Sequence, residues 1–453
     1  MICYNVVISE LLRPQYIYTS TIKLVQLSSD MSHGGAGIGS FNPSDSIAIE
    51  RRVMPLIMKI AFVVPRYGVD IIGGAEYYAR SLAERLNKYH SIEILTTCAK
   101  SYITWANEER EGCEVINGIK VRRFKNSKER DKILHRRIEE GVFYKKHTRE
   151  DEIRWLKEQG PYCEDLIKYI SKNKNMYDFY IFFTFRYCLS YYGIKLVGNK
   201  SLMHPFAEND PALDLSITMD IFNDVKGIIY CTPEERDLIH IKVSFTEKEK
   251  VWDTIGLGIE VPNEIAKADI LKNVDYTIYL GRIDVSKGCN TMFDYYSEIN
   301  KKVISAPELL LAGQSVISIP KHEKIRYLGV VSEIEKFILL KNAKFLIMPS
   351  PFESFSIATL EAMSCGTPVL VNGDCDVLRG HCIRSNAGLW YNGFDEFEEC
   401  MNLLSGDDKL RCEMGKNGIN YVRSNYSWDI VEKKYLTLLD RMKESDLNNL
   451  EKH

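Results

Sequence analysis

The fold is decided by residues 345–371, which read FLIMPSPFESFSIATLEAMSCGTPVLV. Its first four residues are apolar and are typical of a buried strand. Ser354 or Ser356 can then cap a helix that Gly366 ends, and the last three residues resume an extended strand. A strand, a helix and a second strand in this order form a crossover unit of a parallel sheet. This stretch therefore predicts an α/β fold.

Two carboxylates stand in the same stretch. Glu353 lies in the predicted loop ahead of the helix, and Glu361 lies inside the helix. Ligands of open α/β sheets bind beyond the carboxyl ends of the strands, so both carboxylates can face a ligand there.

Length and composition narrow the class of protein. A chain of 453 residues is too long for one ordinary core, and we expect two domains. The net charge of -3, with both signs mixed, gives no support to a nucleic-acid-binding surface.

Cysteine content and hydropathy indicate the compartment. Twelve cysteines without a C-x-x-C pair indicate a reducing compartment. No apolar run reaches the ~20 residues of a spanning helix. We expect a cytoplasmic protein, and peripheral contact with the inner face of the membrane stays open.

The pattern along the chain predicts two α/β halves. The first half begins with a strand near Met58, and the strand pattern restarts at Tyr276 after a hinge at Pro262. In the first half, the Asn117-Gly118 turn predicts a hairpin, the aromatic residues 177–184 predict a central strand, and residues 232–235 (TPEE) predict the start of a helix. Alternating charges in residues 125–158 indicate a solvated helical face. The predicted boundaries are an extension expected to be disordered (1–57), a first domain (58–260), a second domain (261–427), a last helix (428–445) and a tail (446–453).

Two loops of the predicted sheets carry candidate ligand-binding groups. Gly73 and Gly74 lie at a strand-to-helix turn, where backbone amides can approach a phosphate. Their spacing is not G-x-G-x-x-G, so no dinucleotide cofactor is predicted. Arg282 and Lys287 lie in the loop after the strand at Tyr276, and together they could neutralise a diphosphate without a metal. Glycines at such a turn are as often plain turn formers. Taken alone, Arg282 and Lys287 are more commonly explained as surface cations.

The combination of these motifs resembles a known family. Gly281-Arg282, Lys287-Gly288, Gly329-Val330 and the Glu353-x7-Glu361 stretch together are similar to the nucleotide-binding half of the retaining glycosyltransferases of family 4. That family has the GT-B fold, in which two Rossmann-like doubly wound domains face each other across a cleft. The resemblance covers residues 58–440 and implies a C-terminal helix that crosses back to the first domain.

The resemblance also implies a role for each matching residue. Arg282 and Lys287 would hold the donor diphosphate, Glu353 would meet the hydroxyls of the transferred sugar, and Glu361 would bind the ribose. The remaining positions would line the donor, and these are Phe355 and Ser356 through their backbone, Gly329 and Val330 beside the base, and Gly73 and Gly74 near the diphosphate.

One position departs from the family pattern. Relatives often carry Pro-x-Ala-His-Asp-Glu-Pro, whereas residues 205–211 read PFAENDP, so that Glu208 stands at the histidine position. His204 lies four residues earlier and could substitute on the acceptor side, although a lone histidine at a strand end is more often structural.

Metal sites are not predicted. Asp374 and Asp376 form a D-x-D pattern, but two carboxylates without further oxygen ligands are a poor site for a hard cation. Cys375, His381 and Cys382 do not have the spacing of zinc ligands.

The sequence therefore predicts a metal-independent hexosyltransferase of class EC 2.4. It would move a sugar, with retention, from a nucleotide-diphosphate sugar to a glycan or lipid-linked glycan acceptor, and it would need no cofactor besides this donor substrate. Two alternatives remain at this point. One is another GT-B enzyme, such as an epimerase or phosphorylase, and the other is a non-catalytic subunit that binds nucleotide sugars.

Overall fold

A computed structural model describes residues 57–71, 73–262, 275–302 and 306–450, without the side chains of Lys302 and of residues 446–450. The predicted extension at 1–57 lies outside the described residues except for its last position. Of the predicted tail, residues 451–453 also lie outside them.

The first half of the chain forms an eight-stranded sheet with the order β3-β4-β2-β1-β5-β6-β7-β8. All neighbouring strands in it are parallel except the hairpin of β3 and β4. Its strands are β1 (Lys59–Val64), β2 (Ser91–Thr97), β3 (Gly112–Ile116), β4 (Ile119–Phe124), β5 (Phe179–Phe183), β6 (Ser201–His204), β7 (Gly227–Tyr230) and β8 (Val251–Thr254). Its helices are α1 (Gly74–Leu86), α2 (Lys132–Tyr144), α3 (Arg149–Gln159), α4 (Glu164–Asn173), α5 (Cys188–Val197), α6 (Ser216–Asp224) and α7 (Pro233–Lys242).

Local sequence explains these elements. β5 reads FYIFF and is buried along its whole length, as expected for a parallel strand covered on both faces. The predicted turn at Asn117-Gly118 joins β3 and β4, and both residues have positive φ, as a tight hairpin turn requires. The Thr232 side chain caps α7 by accepting from the Glu235 N–H over 3.1 Å, and Pro233 occupies the first turn.

The second half forms a six-stranded parallel sheet with the order β11-β10-β9-β12-β13-β14. Its strands are β9 (Tyr276–Leu280), β10 (Glu308–Ala312), β11 (Ile325–Gly329), β12 (Leu346–Met348), β13 (Val369–Asn372) and β14 (Gly388–Tyr391). Its helices are α8 (Cys289–Lys302), α9 (Glu333–Asn342), α10 (Ile357–Ser364), α11 (Asp376–Ser385), α12 (Phe394–Gly406) and α13 (Asp408–Tyr426), and the chain ends in α14 (Trp428–Leu450).

The order of the strands reverses once in each sheet. In the first sheet the reversal falls between β1 and β5, and in the second between β9 and β12. Connections leave such a pair of strands in opposite directions and open a crevice at their carboxyl ends. Each half therefore has a crevice where ligands of this architecture bind.

The last helix crosses back to the first half of the chain, as predicted. The Tyr435 hydroxyl on α14 lies 2.7 Å from the Tyr78 hydroxyl on α1 and 3.0 Å from His204 Nε2 at the end of β6. Arg441 donates to the Trp252 carbonyl in β8 over 3.2 Å. The helix continues to Leu450, which corrects the predicted end at residue 445.

Within the described ranges, no helix combines the length and the apolar composition that crossing a bilayer would need.

Candidate functional site

The two predicted donor-binding loops lie side by side. They follow β9 and β12, which are neighbouring parallel strands at the reversal point of the second sheet. Gly288 allows the loops to touch, because a Cβ at this position would lie 2.2 Å from the Pro349 carbonyl oxygen. Its φ of 71° is also one that side chains disfavour. The sequence thus brings the cation-bearing loop against the Glu353 loop.

Lys287 and Glu353 form an ion pair at this junction. Lys287 Nζ donates to Glu353 Oε1 over 2.8 Å, and the two side chains are only 25% and 15% exposed. Burial pulls the pKa of Lys287 down, but the carboxylates of Glu353 and Glu208 outweigh it, so that the pKa lies above its usual value. The ammonium is therefore charged at neutral pH, beside a carboxylate that can accept hydroxyl donors.

Arg282 contacts the other half of the chain. Its Nη1 donates to the Tyr102 hydroxyl over 2.8 Å, and its guanidinium lies 5.5 Å from the centre of the Tyr102 ring. The guanidinium of Arg66 lies 5.2 Å from the same ring. Arg66 also pairs with Glu76 in the first turn of α1. Two guanidiniums from the two halves of the chain therefore flank one aromatic ring.

Glu208 approaches the ion pair from the first sheet. It follows β6, and it is partly buried. Burial raises the pKa of Glu208 to about 7, an effect that Lys287 opposes and Glu353 reinforces. Lys287 and Glu353 therefore act in opposite directions on the pKa of the carboxyl group that follows β6.

A second buried carboxyl supports the loop of Glu208. Glu235 accepts from the backbone N–H of Ala207 over 2.6 Å and from that of Cys231 over 2.5 Å. Burial raises the pKa of Glu235 to about 8, although both of these hydrogen bonds lower it. Glu235 thereby fixes the position of the residue immediately before Glu208.

Glu361 is buried in α10 and pairs with a lysine that the sequence pattern did not identify. Lys336 Nζ of α9 donates to Glu361 Oε1 over 2.6 Å. Burial raises the pKa of Glu361, and Lys336 opposes this shift. Glu361 and Tyr77 of α1 both line a cavity of about 380 Å³ between the two halves of the chain. Glu361 therefore borders space that a ligand could enter.

The helix after Glu353 begins at Ile357. The sequence predicts that a serine side chain caps this helix, and the structure shows no such cap. Ser356 is the cap residue, but its side chain makes no capping hydrogen bond. Ser356 Oγ instead lies 2.9 Å from Thr359 Oγ1. The φ of Ser356 is 61°, which is strained for a residue with a side chain, and such strain concentrates at functional sites. The Phe355 carbonyl accepts from His381 Nε2 over 2.9 Å, so this backbone oxygen is already engaged.

The remaining predicted donor positions lie at element ends. Gly73 precedes α1, and a Cβ there would meet Glu76 Oε2 at 2.1 Å. Gly74 opens the helix with free space around it. Gly329 ends β11 with a φ of 75°, and Val330 beside it is 62% exposed. These donor roles remain predictions.

His204 occupies the core instead of the cleft surface. It is fully buried, its ring stacks on Phe183 and Phe206, and its Nε2 lies 3.0 Å from the Tyr435 hydroxyl. Burial lowers the pKa of His204 to about 3, so it stays neutral at physiological pH. These contacts indicate packing of α14 rather than the acceptor-side substitution that its sequence position suggested.

Among the described residues, no group of three or more His, Cys, Asp and Glu side chains is arranged to hold a metal ion. Asp376 of the D-x-D pattern instead starts α11 and pairs with Arg379. His381 is fully buried between Tyr421 and the Phe355 carbonyl.

Sequence reasoning missed four residues of the site. Lys336 stands on a helix face, Glu235 looked like an ordinary first-turn acid, and Tyr102 and Arg66 lie in loops of the first half of the chain. Lys336, Glu235 and Tyr102 are revealed by partners far along the chain, which are Glu361, Ala207 and Arg282. The signal that could have identified Arg66 is its place after β1, at the reversal point of the first sheet.

Comparison with known proteins supports the resemblance. Residues 260–421 match the family model described as "Glycosyl transferases group 1". This segment contains both donor-binding loops, all of the second sheet and most of α13.

A similar curated protein is an N,N'-diacetylbacillosaminyl-diphospho-undecaprenol alpha-1,3-N-acetylgalactosaminyltransferase of Campylobacter jejuni. It is 35% identical over 124 residues, which are 26% of this chain and 31% of that protein. The aligned regions span about a third to a half of the length of the first curated relatives.

Solved structures show the fold. Sucrose-phosphate synthase from Thermosynechococcus elongatus superimposes with a TM-score of 0.63 at 16% identity, over 86% of this chain and all (100%) of that one. Anabaena HepE in complex with UDP-glucose gives 0.60 at 14% identity, over 84% and 100%. The predicted GT-B fold is confirmed.

Proposed function

We propose that this chain is a glycosyltransferase. It transfers a hexose from a nucleotide-diphosphate sugar to a glycan or lipid-linked glycan acceptor, with retention of the anomeric configuration and without a metal. The observation that carries this proposal is the junction of the two loops. A charged lysine, Lys287, lies 2.8 Å from a carboxylate, Glu353, at the crevice of a parallel sheet. Arg282 on the same loop provides a second cation.

The chemistry of transfer fits these groups. The acceptor hydroxyl forms a bond to the anomeric carbon while the bond from that carbon to the diphosphate oxygen breaks. The acceptor proton leaves with the nucleoside diphosphate. Negative charge grows on the departing diphosphate, so fixed cations stabilise the transition state more than the ground state. Arg282 and Lys287 supply this charge, and Glu353 accepts hydrogen bonds from the hydroxyls of the sugar.

Glu208 takes the place of the histidine that similar sequences carry. A histidine and a carboxyl with a pKa of about 7 share one property, which is that both exchange a proton at neutral pH. In its neutral form Glu208 can donate a hydrogen bond to the sugar, and in its ionised form it can accept one from the acceptor hydroxyl. The change from histidine is therefore compatible with an active enzyme.

The printed names of similar proteins support the substrate classes. The Campylobacter relative is named for a diphospho-undecaprenol acceptor, and an O-antigen chain mannosyltransferase of Salmonella typhimurium is 28% identical over 171 residues. Anabaena HepE was solved with UDP-glucose. A nucleotide sugar as donor and a lipid-linked or polymeric glycan as acceptor follow as the classes to test.

The direct test is a transfer assay with labelled UDP- and GDP-sugars and extracted cell glycolipids. We expect free nucleoside diphosphate and an extended glycan. Lys287→Ala and Glu353→Ala should each lower the rate on the order of a hundredfold or more, because each removes a group that the transition state uses. Both variants should remain folded at the assay temperature, which circular dichroism can check.

Lys416→Ala is the matched control, since Lys416 and Glu413 also pair at 2.8 Å but on an exposed helix face. It should retain full transfer. Near wild-type turnover in Lys287→Ala would reject the site, and donor binding without any transfer would favour a non-catalytic subunit.

Two further measurements test the finer proposals. Because Arg282 and Lys287 can neutralise the diphosphate, EDTA should leave the transfer rate unchanged. A loss that Mg²⁺ or Mn²⁺ restores would contradict metal independence.

Retention is tested by NMR of the product. The anomeric configuration of the transferred sugar should be the same in the product as in the donor.

A further inference from the structure

The carboxylate of Glu361 is placed almost entirely out of water. Its side chain is 5% exposed and lies in the second turn of α10. A carboxylate withdrawn from water loses its charge unless a partner supports it. Burial accordingly raises the pKa of Glu361, and the ammonium of Lys336 opposes that rise. The charge of Glu361 therefore depends on a lysine of a neighbouring helix.

Lys336 is held against Glu361 by the start of its own helix. The Ser332 side chain caps α9, and the Glu335 side chain accepts from the Ser332 N–H, so the first turn is fixed. Lys336 Nζ donates to Glu361 Oε1 over 2.6 Å and to Glu333 Oε2 over 2.8 Å. Burial lowers the pKa of Lys336, but both carboxylates outweigh it, so the pKa lies above its usual value. A charged ammonium in a fixed position thus faces the buried carboxylate.

The pair borders open space between the two halves of the chain. Glu361 lines the cavity of about 380 Å³ together with Tyr77 of α1 and Phe337 of α9. Lys336 Nζ lies 5.9 Å from the centre of the Tyr77 ring and 4.9 Å from that of Phe337. A carboxylate can accept about four hydrogen bonds, of which the lysine takes up one. Glu361 therefore keeps acceptor sites for a ligand.

The position of α9 ties this pair to the predicted base site. β11 ends at Gly329, and α9 begins at Glu333, so only a short loop with Val330 separates them. Gly329 and Val330 are the residues predicted to lie beside the base of the donor. Lys336 lies about one helical turn further on. The ribose is the part of a nucleotide that is bonded to its base.

We propose that Lys336 is a positioning residue for the ribose of the nucleotide donor. It holds the Glu361 carboxylate in the orientation and charge that accept hydrogen bonds from the ribose hydroxyls. The donor site thereby prefers ribonucleotides to 2′-deoxyribonucleotides, because a missing hydroxyl leaves a buried acceptor without its donor. This inference rests on the proposed function, in which the donor is a nucleotide-diphosphate sugar.

The test is isothermal titration calorimetry of the full-length protein with UDP, GDP and their 2′-deoxy forms. At least one ribonucleotide should bind the wild type on the order of tenfold more tightly than its 2′-deoxy form, which corresponds to one hydrogen bond to a charged group. Lys336→Met should bind that ribonucleotide on the order of tenfold more weakly and reduce the preference to about twofold or less. Lys336→Arg keeps the cation and should retain most of the preference.

The ratio of the two affinities separates positioning from folding. Damage to the fold lowers the affinity for both nucleotides by the same factor and leaves their ratio unchanged. Lys344→Met is the matched control, because Lys344 pairs with Asp275 at 2.8 Å before β12 and β9, at the amino ends of these strands. This control should keep the full preference for the ribonucleotide.

A double variant tests whether Lys336 acts through Glu361. Glu361→Gln should reduce the preference by itself, and adding Lys336→Met should weaken ribonucleotide binding no further. Additive losses would overturn the proposal. An unchanged preference in Lys336→Met, or an equal loss of preference in Lys344→Met, would overturn it as well.

Failure of the proposed function gives a different result from failure of this inference. If none of these nucleotides bound the wild type, the donor site and the role of Lys336 would both be rejected. If a ribonucleotide bound the wild type no better than its 2′-deoxy form, only the role of Lys336 would be rejected, and the proposed glycosyltransferase activity would stand.

Discussion

At the scale of single residues, the site depends on electrostatic interactions among Lys287, Glu353 and Glu208. Glu353 and Glu208 raise the pKa of Lys287 against the effect of burial, and burial, reinforced by Glu353, raises the pKa of Glu208. The residue types of the two loops were predictable from the sequence. The pairing of Lys287 with Glu353 was not, because it depends on how closely two loops pack.

The raised pKa of Glu208 predicts a pH-dependent stability. In the unfolded chain its pKa is near 4.5, and in the folded chain it is about 7. The folded state therefore binds more protons between these values, and its stability falls as the pH rises from 4.5 to 7. Glu208→Gln removes this loss, so the variant should melt at a higher temperature than the wild type above pH 7 and gain little below pH 4.5.

Thermal denaturation followed by circular dichroism at several pH values measures this difference. The exposed Glu249 provides the control, because Glu249→Gln should show no pH-dependent gain. If the melting-temperature difference between Glu208→Gln and the wild type were the same at pH 4.5 and pH 8, Glu208 would not carry the shifted proton.

At the scale of elements, strong local signals gave correct predictions and weak ones did not. The Asn117-Gly118 hairpin, the cap at Thr232 and the strand at Phe179–Phe183 each follow from residue types within a few positions. β11 and β14 were missed because they are half-exposed edge strands without a continuous buried apolar run. α11 was missed because Asp374 and Asp376 resembled a loop motif. The end of α14 was placed too early because polar composition alone does not stop a helix.

The crossing of α14 gives a prediction at this scale. Tyr435→Phe removes the hydroxyl that lies 2.7 Å from that of Tyr78 and 3.0 Å from His204 Nε2. A buried polar group left without its partner costs about 1 to 3 kcal/mol. We expect urea denaturation to show a loss of free energy of unfolding in that range.

Tyr144→Phe is the matched control, because Tyr144 is 75% exposed and its hydroxyl faces solvent. It should leave the free energy of unfolding unchanged. Equal stability of Tyr435→Phe and the wild type would mean that the buried contact of α14 with the first half contributes nothing.

At the scale of the whole molecule, the order of the strands creates the site. Sequence placed both loops after strands but could not show that β9 and β12 are neighbours. The sequence also could not predict the contacts between the two halves of the chain, since these contacts join residues far apart in sequence. Arg282 meets Tyr102, and Glu234 pairs with Arg384. Long-range packing decides such contacts, and no local pattern encodes them.

The proposed donor site is tested most directly by donor-induced stabilisation. Wild-type protein and Lys287→Met are melted with a panel of UDP- and GDP-sugars, with Lys416→Met as the control. A ligand that binds only the folded state at about a hundred times its Kd stabilises it by about 2.7 kcal/mol. At least one donor should raise the melting temperature of the wild type and of Lys416→Met, but not that of Lys287→Met. If no donor raised the wild-type melting temperature, or if Lys287→Met rose equally, the junction of Lys287 and Glu353 would not be a nucleotide-sugar site.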